Sequence, residues 1–284
     1  MMQILSLSSA VAAGHVGNSG IVFALQRLGA EIVRVDTVRY SNHPGHGDFA
    51  GRAADGAELD ALIAGLARHG ALAACRAMLS GYLGTVAAGE AALAALGHVR
   101  AAGPDRLYCC DPVFGDDGPG LYVQPDIVAF LQNRALPAAD IATPNGFEAE
   151  RLTAIPIDGW DAARRAAAAL AGGLRGAGPR VAVITTVPAG AGRIGMVAVA
   201  GARAWRLALP RLALRANGAG DLFAALFLFH LLNDKDAGAA LSAAASALAG
   251  VVRRTVALDA RELALIAAQD ELAAPSRIYG AEPF

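Results

Sequence analysis

Short apolar runs rich in β-branched residues alternate along this chain with longer alanine- and leucine-rich stretches of helical period. Strands are predicted at Gln3–Leu7, Glu31–Val35, Ala77–Ser80, Leu107–Asp111, Asp140–Thr143, Val181–Thr185, Met196–Ala200 and Ala204–Leu209. Helices are predicted at Ser19–Leu28, Ala57–His69, Ala88–Ala101, Pro125–Ala135, Phe147–Ala154, Ala162–Arg175, Asp221–Leu232, Ala237–Arg254 and Arg261–Leu272. Such alternation implies parallel strands joined by right-handed crossovers, with helices on both faces of the sheet. Ligands in such sheets sit beyond the carboxyl ends of the strands. Ser9, Tyr82, Asp111, Thr143 and Thr185 all fall at or just past predicted strand ends. One segment breaks the rhythm: Thr37–Arg52, rich in His, Gly, Pro and Asn, reads as a long polar loop, either functional or a connector. Gly172–Pro179 and Val187–Arg193 read as turns. With no linker and no internal repeat, a single domain over 1–284 is expected.

Composition narrows what such a domain can do. Of 284 residues, 55% are hydrophobic and only 17% charged, which supplies a large core and excludes disorder. A formal net charge of −1 without a basic run argues against nucleic acid as a partner. Lys235 is the only lysine, so the Gly-Lys-Ser/Thr phosphate loop is excluded. Phosphate chemistry here has to use backbone N–H groups, arginine and metal. The three cysteines, Cys75, Cys109 and Cys110, lack metal-ligand spacing, and the adjacent pair reads as buried packing against the alternative of a reactive thiol. Met1-Met2-Gln3 carries no charged region ahead of an apolar one, and no apolar run is long enough for a bilayer. A cytoplasmic protein without a membrane partner is expected.

The most informative stretch is Asn217-Gly218-Ala219-Gly220-Asp221, followed at once by the apolar run Leu222–Leu232. Glycines free the backbone to turn and to approach a ligand closely. A turn feeding a helix aims unpaired N–H groups and the positive dipole end at one spot, a site suited to phosphate. A carboxylate there, Asp221, is either a helix cap or a group that takes a proton from a hydroxyl attacking the phosphate.

Further short motifs occur in order: Ile4-Leu5-Ser6 with Ser9, Gly14-His15-Val16-Gly17-Asn18, Ser41-Asn42-His43, Ser80-Gly81-Tyr82-Leu83-Gly84, Cys110-Asp111-Pro112-Val113-Phe114-Gly115-Asp116, and Thr143-Pro144-Asn145-Gly146-Phe147-Glu148-Ala149-Glu150. With the Gly218 motif they resemble the ribokinase superfamily, and within it the pyridoxal kinases, from about residue 3 to 270. The resemblance implies an α/β ribokinase-like fold with a central, mostly parallel β-sheet flanked by helices on both faces. It implies an ATP:pyridoxal 5-phosphotransferase using Mg2+ and a monovalent cation such as K+, and a homodimer. Asp221 would be the base, with the amides of Gly218, Ala219 and Gly220 stabilising the developing charge. Asp111, Asp116 and Glu148 match positions that bind the metal–nucleotide complex. Thr143, Asn145, Thr185 and Thr186 match nucleotide contacts. Ser9, Tyr40 and Tyr82 match positions that hold the pyridine ring.

Departures concentrate on the acceptor side. Ala10 and Ala13 replace a histidine and an aromatic usual in the family. In the substrate loop Pro44 stands where threonine is usual, followed by Gly45 and His46. Proline offers neither hydroxyl nor N–H. The loop Pro210–Ala216 is short, and Asn217 is polar where the family has a small apolar residue. Two other readings stand beside the pyridoxal kinase: a kinase for hydroxymethylpyrimidine or another small hydroxymethyl heterocycle, and a B6-binding protein with little turnover.

Overall fold

The structure is a computed structural model, and it describes residues 2–234 and 236–284. In chain order the elements are β1 (Gln3–Val11), α1 (Asn18–Arg27), β2 (Glu31–Tyr40), β3 (Gly51–Ala53), α2 (Gly56–His69), α3 (Ala71–Ala74), β4 (Ala77–Ser80), α4 (Val86–Ala101), β5 (Leu107–Cys110), the short hairpin β6 (Gly115–Asp116) and β7 (Gly120–Leu121), α5 (Pro125–Phe130), α6 (Leu136–Ala138) and β8 (Ile141–Ala142). There follow α7 (Gly146–Thr153), α8 (Trp160–Gly173), β9 (Val181–Pro188), β10 (Arg193–Ala200), β11 (Arg203–Pro210), α9 (Ala219–Asp234), α10 (Ala237–Ala257), α11 (Gln269–Ala273) and β12 (Glu282–Pro283).

Ten strands form one sheet in the order β12-β11-β10-β9-β8-β5-β4-β1-β2-β3. The strands from β2 to β9 are parallel, and antiparallel partners close each edge, β3 on β2 and β10 on β9. The expected α/β architecture is therefore present. Alternation along β1 sets its two faces. Ile4 packs with Leu25, Phe223, Phe227 and Leu241 beneath α1, α9 and α10. Leu5 and Leu7 pack with Leu59, Ile63 and Ala92 beneath α2 and α4. Helix α9 is apolar all round and Leu222 to Leu228 are all buried, as such a helix must be. The chain leaves β1 for β2 on one side and returns to β4 on the other. The β1/β4 boundary is thus the switch point, where the carboxyl ends part and leave a crevice.

Several predicted boundaries shift for physical reasons. The expected strand at Asp140–Thr143 shrinks to Ile141–Ala142, because the Asp140 side chain is tied elsewhere and Pro144 follows. The expected helix Pro125–Ala135 opens into a wider π turn at Leu131–Ala135, just before Pro137, which has no N–H to continue the ladder. Within the polar segment Thr37–Arg52, β2 runs on to Tyr40 and pairs with β3, so only its middle is a loop. The turn expected at Val187–Arg193 is the tight connection of the β9–β10 hairpin. The predicted helix Arg261–Leu272 is absent over most of its length, and only Gln269–Ala273 is helical. Asp259 takes a left-handed backbone (φ 48°) and reverses the chain after α10. Leu263 and Leu265, two apart rather than three or four, enter the core ahead of Ala268 and Leu272.

One buried charge network fixes the rear of the sheet. Asp140 is fully buried and accepts from Arg100 Nη2 (2.8 Å), Arg175 Nε (2.6 Å) and the Tyr108 amide (2.8 Å). Removing one partner of a buried pair strands the others. Asp140→Ala should therefore lower the unfolding free energy by about 3–5 kcal/mol in urea titrations. A loss below about 1 kcal/mol would show that the network contributes little.

Candidate active site

Gly218 adopts φ 91°, a left-handed conformation favouring glycine, and a Cβ there would stand 2.8 Å from the His15 carbonyl oxygen. Behind this turn α9 begins at Ala219, two residues earlier than expected. Asp221 thus lies inside the first helical turn rather than at the cap. Its Oδ2 accepts from the Gly17 amide at 2.9 Å, across the crevice at the end of β1. The cap reading of Asp221 fails on this geometry. First-turn amides of a helix lack intrahelical acceptors, so those of Ala219 and Gly220 remain available to an anion. Gly81, just past β4, forms the floor. A Cβ there would lie 2.5 Å from Ser8 Oγ and 3.3 Å from Asp221 Oδ1. Ser8 Oγ is buried without a hydrogen-bond partner.

Two further carboxylates stand nearby. Asp111, just past β5, is buried, and its Oδ1 accepts from Thr143 Oγ1 at 2.8 Å. Glu148 is buried in the first turn of α7. Its Oε2 accepts from the Asn145 amide (2.9 Å), and its Oε1 accepts from the amides of Phe114 (3.0 Å) and Gly115 (3.4 Å). Asn145 Oδ1 accepts in return from the Glu148 amide at 2.8 Å, a reciprocal capping box, and Asn145 Nδ2 donates to Gly115 O. Thr143, Asn145 and Glu148 are therefore first of all ties that fasten the segment after β5 to α7. Asp116 is set apart, exposed on the β6–β7 hairpin, with its carboxylate accepting from the Asp117 amide.

Burial raises the pKa of all three inner carboxylates. Asp111 is held well above the usual carboxylate range by desolvation, then by the charges of Glu148 and Asp221. Glu148 is pushed up to about 7 by burial, against the pull of three amides. Asp221 is raised to about 6 by burial, opposed by the Gly17 amide. Among the described residues no arginine pairs with any of the three. Nor do three His, Cys, Asp or Glu side chains among them converge tightly enough to hold an ion alone. The donor set fits Mg2+ carried with a nucleotide, where one or two carboxylates act alongside phosphate oxygens and water.

A cavity of about 350 Å³ is lined by Thr185, Thr186, Met196, Leu212, Phe223 and Val252 among others, and it opens onto Ala219 and Gly220. Its mostly apolar walls suit a flat aromatic group, and the glycine turn lies at its edge. Thr186 carries positive φ (58°), an uncommon state for a β-branched residue, and its Oγ1 accepts from the Gly146 amide at 2.9 Å.

On the acceptor side, Ser9 sits where the β1–β2 pairing slips between Ser8 and Ala10, so that Thr37 and Val38 stand opposite it. The half-buried Tyr82 accepts through its carbonyl from Thr37 Oγ1 at 2.6 Å. Burial, with Tyr40 as neighbour, raises the Tyr82 pKa. Tyr40 packs on Phe49, ring centroids 4.7 Å apart. Pro44–His46 forms a 3-10 turn with proline at its first position and His43 Nδ1 accepting from the Gly45 amide at 3.0 Å. Ser9, Tyr82, the glycine turn and Asp221 thus share one crevice, and the Pro44–His46 turn flanks it through Gly45 and Asn217.

Sequence reasoning missed three participants. The Gly17 amide had no side-chain signal. Gly81 was seen only as part of a motif. Tyr122, from the hairpin, turns its hydroxyl toward Gly115 O at 3.5 Å. Desolvation, then Glu148, Asp111, Asp116 and Asp221, raise its pKa.

A parallel sheet with a switch-point crevice, a glycine turn opening a helix and an acid hydrogen-bonded across that crevice is the framework of a small-molecule phosphotransferase. The sequence model of the phosphomethylpyrimidine kinase family matches residues 72–264. Pyridoxal kinase PdxY of Rubrobacter xylanophilus is 45% identical over 278 residues, covering 96% of this chain and 94% of that protein. PdxY of Granulibacter bethesdensis is 44% identical, covering 99% of each. The pyridoxal kinase of Leishmania donovani, solved in complex with ADP and pyridoxine, superposes with a TM-score of 0.91 at 27% identity over 99% of each chain. The chain belongs to the pyridoxal kinase family of ribokinase-like enzymes.

The capping box generates a test. In Glu148→Gln the amide nitrogen takes the place of an oxygen that accepts a backbone N–H, so a donor faces a donor. Stability should fall by about 1–3 kcal/mol, the cost of an unsatisfied buried group, in urea titrations followed by circular dichroism. An unchanged midpoint would show that the three amide contacts do not hold Glu148.

Proposed function

We propose that this protein transfers the γ-phosphoryl group of ATP to the 5-hydroxymethyl group of pyridoxal, giving pyridoxal 5′-phosphate in vitamin B6 salvage, with pyridoxine and pyridoxamine as further acceptors. The observation that carries this reading is the placement of Asp221. It stands beside Gly81 at the switch point, held by the Gly17 amide, between the nucleotide cavity and the crevice that holds Ser9 and Tyr82.

The chain's own groups divide the work. The apolar cavity holds the base, and Thr186 and the glycine turn receive the phosphates. Ser9 offers a hydrogen bond to the pyridine ring, while Tyr82 and Tyr40 pack against it. Asp221 accepts the proton of the attacking hydroxyl, and a pKa near 6 leaves most of it ionised and ready at neutral pH. The first-turn amides of α9 meet the charge that develops on the transferred group. Mg2+ bound with the nucleotide would supply positive charge at the phosphoryl oxygens, with Asp111 and Glu148 as its carboxylates and Asp116 on the outer side. A monovalent cation such as K+, a homodimer and a cytoplasmic location belong to the same reading. Among the described residues no helix is long and apolar enough to cross a membrane.

A coupled assay of ADP release with a panel of B6 vitamers and hydroxymethylpyrimidine tests the proposal. Turnover should be highest with a B6 vitamer. Asp221→Ala should lower kcat about 10²–10⁴-fold, the usual worth of a general base, with ATP affinity nearly intact. In the wild type kcat/KM should rise with pH through a limb near 6, because the unprotonated carboxylate is the active form. Turnover with hydroxymethylpyrimidine alone would overturn the acceptor. No turnover despite B6 binding would make the chain a binding protein. A loss below about tenfold in Asp221→Ala would overturn the base.

A further inference from the structure

The segment that was expected to be helical, Arg261–Ala268, passes close to the acceptor crevice. From it Glu262 reaches back across the fold. Its Oε2 accepts from the His15 amide at 3.1 Å, and its Oε1 lies 3.1 Å from His46 Nδ1. The fit is tight: a Cβ on Gly14 would stand 2.5 Å from the same carboxylate. Both contacts fall on turns that flank the reaction centre. The Gly14–Gly17 turn holds Asp221 through the Gly17 amide, and the His15 carbonyl closes on Gly218. The Pro44–His46 turn lies beside Asn217, whose Nδ2 would be 3.5 Å from a Cβ on Gly45.

The balance of hydrogen bonds makes Glu262 hard to replace. His46 Nε2 is buried without a partner, so Nδ1 is the only ring nitrogen with one, and that partner is Glu262. His15 Nδ1 is likewise buried without a partner. Without the carboxylate, His46 would have neither nitrogen satisfied, and the turn would gain by swinging out to water. His43 sits edge-on to His46 at 6.0 Å between ring centroids, and burial lowers its pKa.

We propose that Glu262 is a positioning residue for the acceptor. It ties the Gly14–His15 turn and the Pro44–His46 turn together at the mouth of the crevice and so sets acceptor affinity without touching the nucleotide. The proposal rests on the pyridoxal kinase reading for its substrate but not for its geometry. It also assigns a role to the unusual Pro44-Gly45-His46 sequence. Proline pre-forms the turn, and His46 supplies the anchor that a carboxylate from the C-terminal segment can hold.

Steady-state kinetics of Glu262→Ala and Glu262→Gln with pyridoxal and ATP, together with hydrogen exchange over residues 41–50, test it. Glu262→Ala should raise KM for pyridoxal about tenfold, the worth of one to two hydrogen bonds, with kcat within about threefold and KM for ATP within about twofold of wild type. Glu262→Gln keeps an acceptor and a donor in place and should recover most of that loss. Amides of residues 45–47 should exchange at least about tenfold faster in Glu262→Ala. If that variant fails to fold, His46→Ala should give the same rise in pyridoxal KM. An unchanged KM for pyridoxal, or equal rises for both substrates, overturns the proposal. Should the wild type phosphorylate no B6 vitamer, the functional reading fails, and the exchange rates alone decide the role of Glu262: unchanged exchange rejects it.

Discussion

The structure turns on three carboxylates, the buried Asp111 and Glu148 and the half-buried Asp221, that share one end of the sheet with no cationic side chain paired to them among the described residues. Desolvation pushes each above its ordinary range, and at Asp111 the charges of Glu148 and Asp221 add to it. A fold does not gather acids in this way for stability, since a paired or solvated carboxylate costs less. The arrangement is coherent when the missing positive charge arrives with a ligand. A metal–nucleotide complex supplies that charge, and backbone amides supply the rest. With Lys235 as the chain's only lysine, backbone amides, arginine and metal are what remain for phosphate.

Helix ends and strand ends deliver these groups, and each is held by neutral donors rather than by a partner of opposite charge. Asp221 is fixed by the Gly17 amide, Glu148 by three amides, and Asp111 by the Thr143 hydroxyl. Hydrogen bonds from neutral donors orient a carboxylate while leaving it basic enough to take a proton or to respond to a cation. The same economy governs the acceptor side, where Glu262 joins two turns through one amide and one imidazole.

Much of this was legible in the residues. Alternating apolar runs located the parallel strands of the sheet, because a strand buried on both faces has to be apolar along its length. The Gly218–Asp221 motif announced the phosphate site for a local reason, a turn feeding a helix. What escaped was long-range or carried by backbone. Gly17 contributes an N–H, which no residue type encodes. Tyr122 reaches the acids from a hairpin whose strands are two residues each, too short for periodicity to register. Arg261–Leu272 looks helical by composition, yet Leu263 and Leu265 enter the core at a spacing of two, and the irregular, turn-rich path there brings Glu262 to the crevice. Asn145 and Glu148, one helical turn apart at a helix start, leave both a ligand pair and a helix cap open from sequence, and the backbone shows the capping box.

The central claim is that Asp221 is a half-buried base with no cationic partner among the described residues, and its proton affinity in the folded protein tests that most directly. An aspartate raised to about 6 when folded, against about 3.9 unfolded, binds more protons in the folded state between those values. Its favourable contribution is then present below about pH 4 and lost as pH rises through 6. Asp221→Asn keeps an oxygen for the Gly17 amide and carries no such dependence. Unfolding free energies of the two proteins, measured in urea from pH 4 to 8 without divalent cation, give the difference curve. Wild type should lose stability relative to the variant up to about pH 6 and then hold level. A flat difference, or one of opposite sign, would contradict the account.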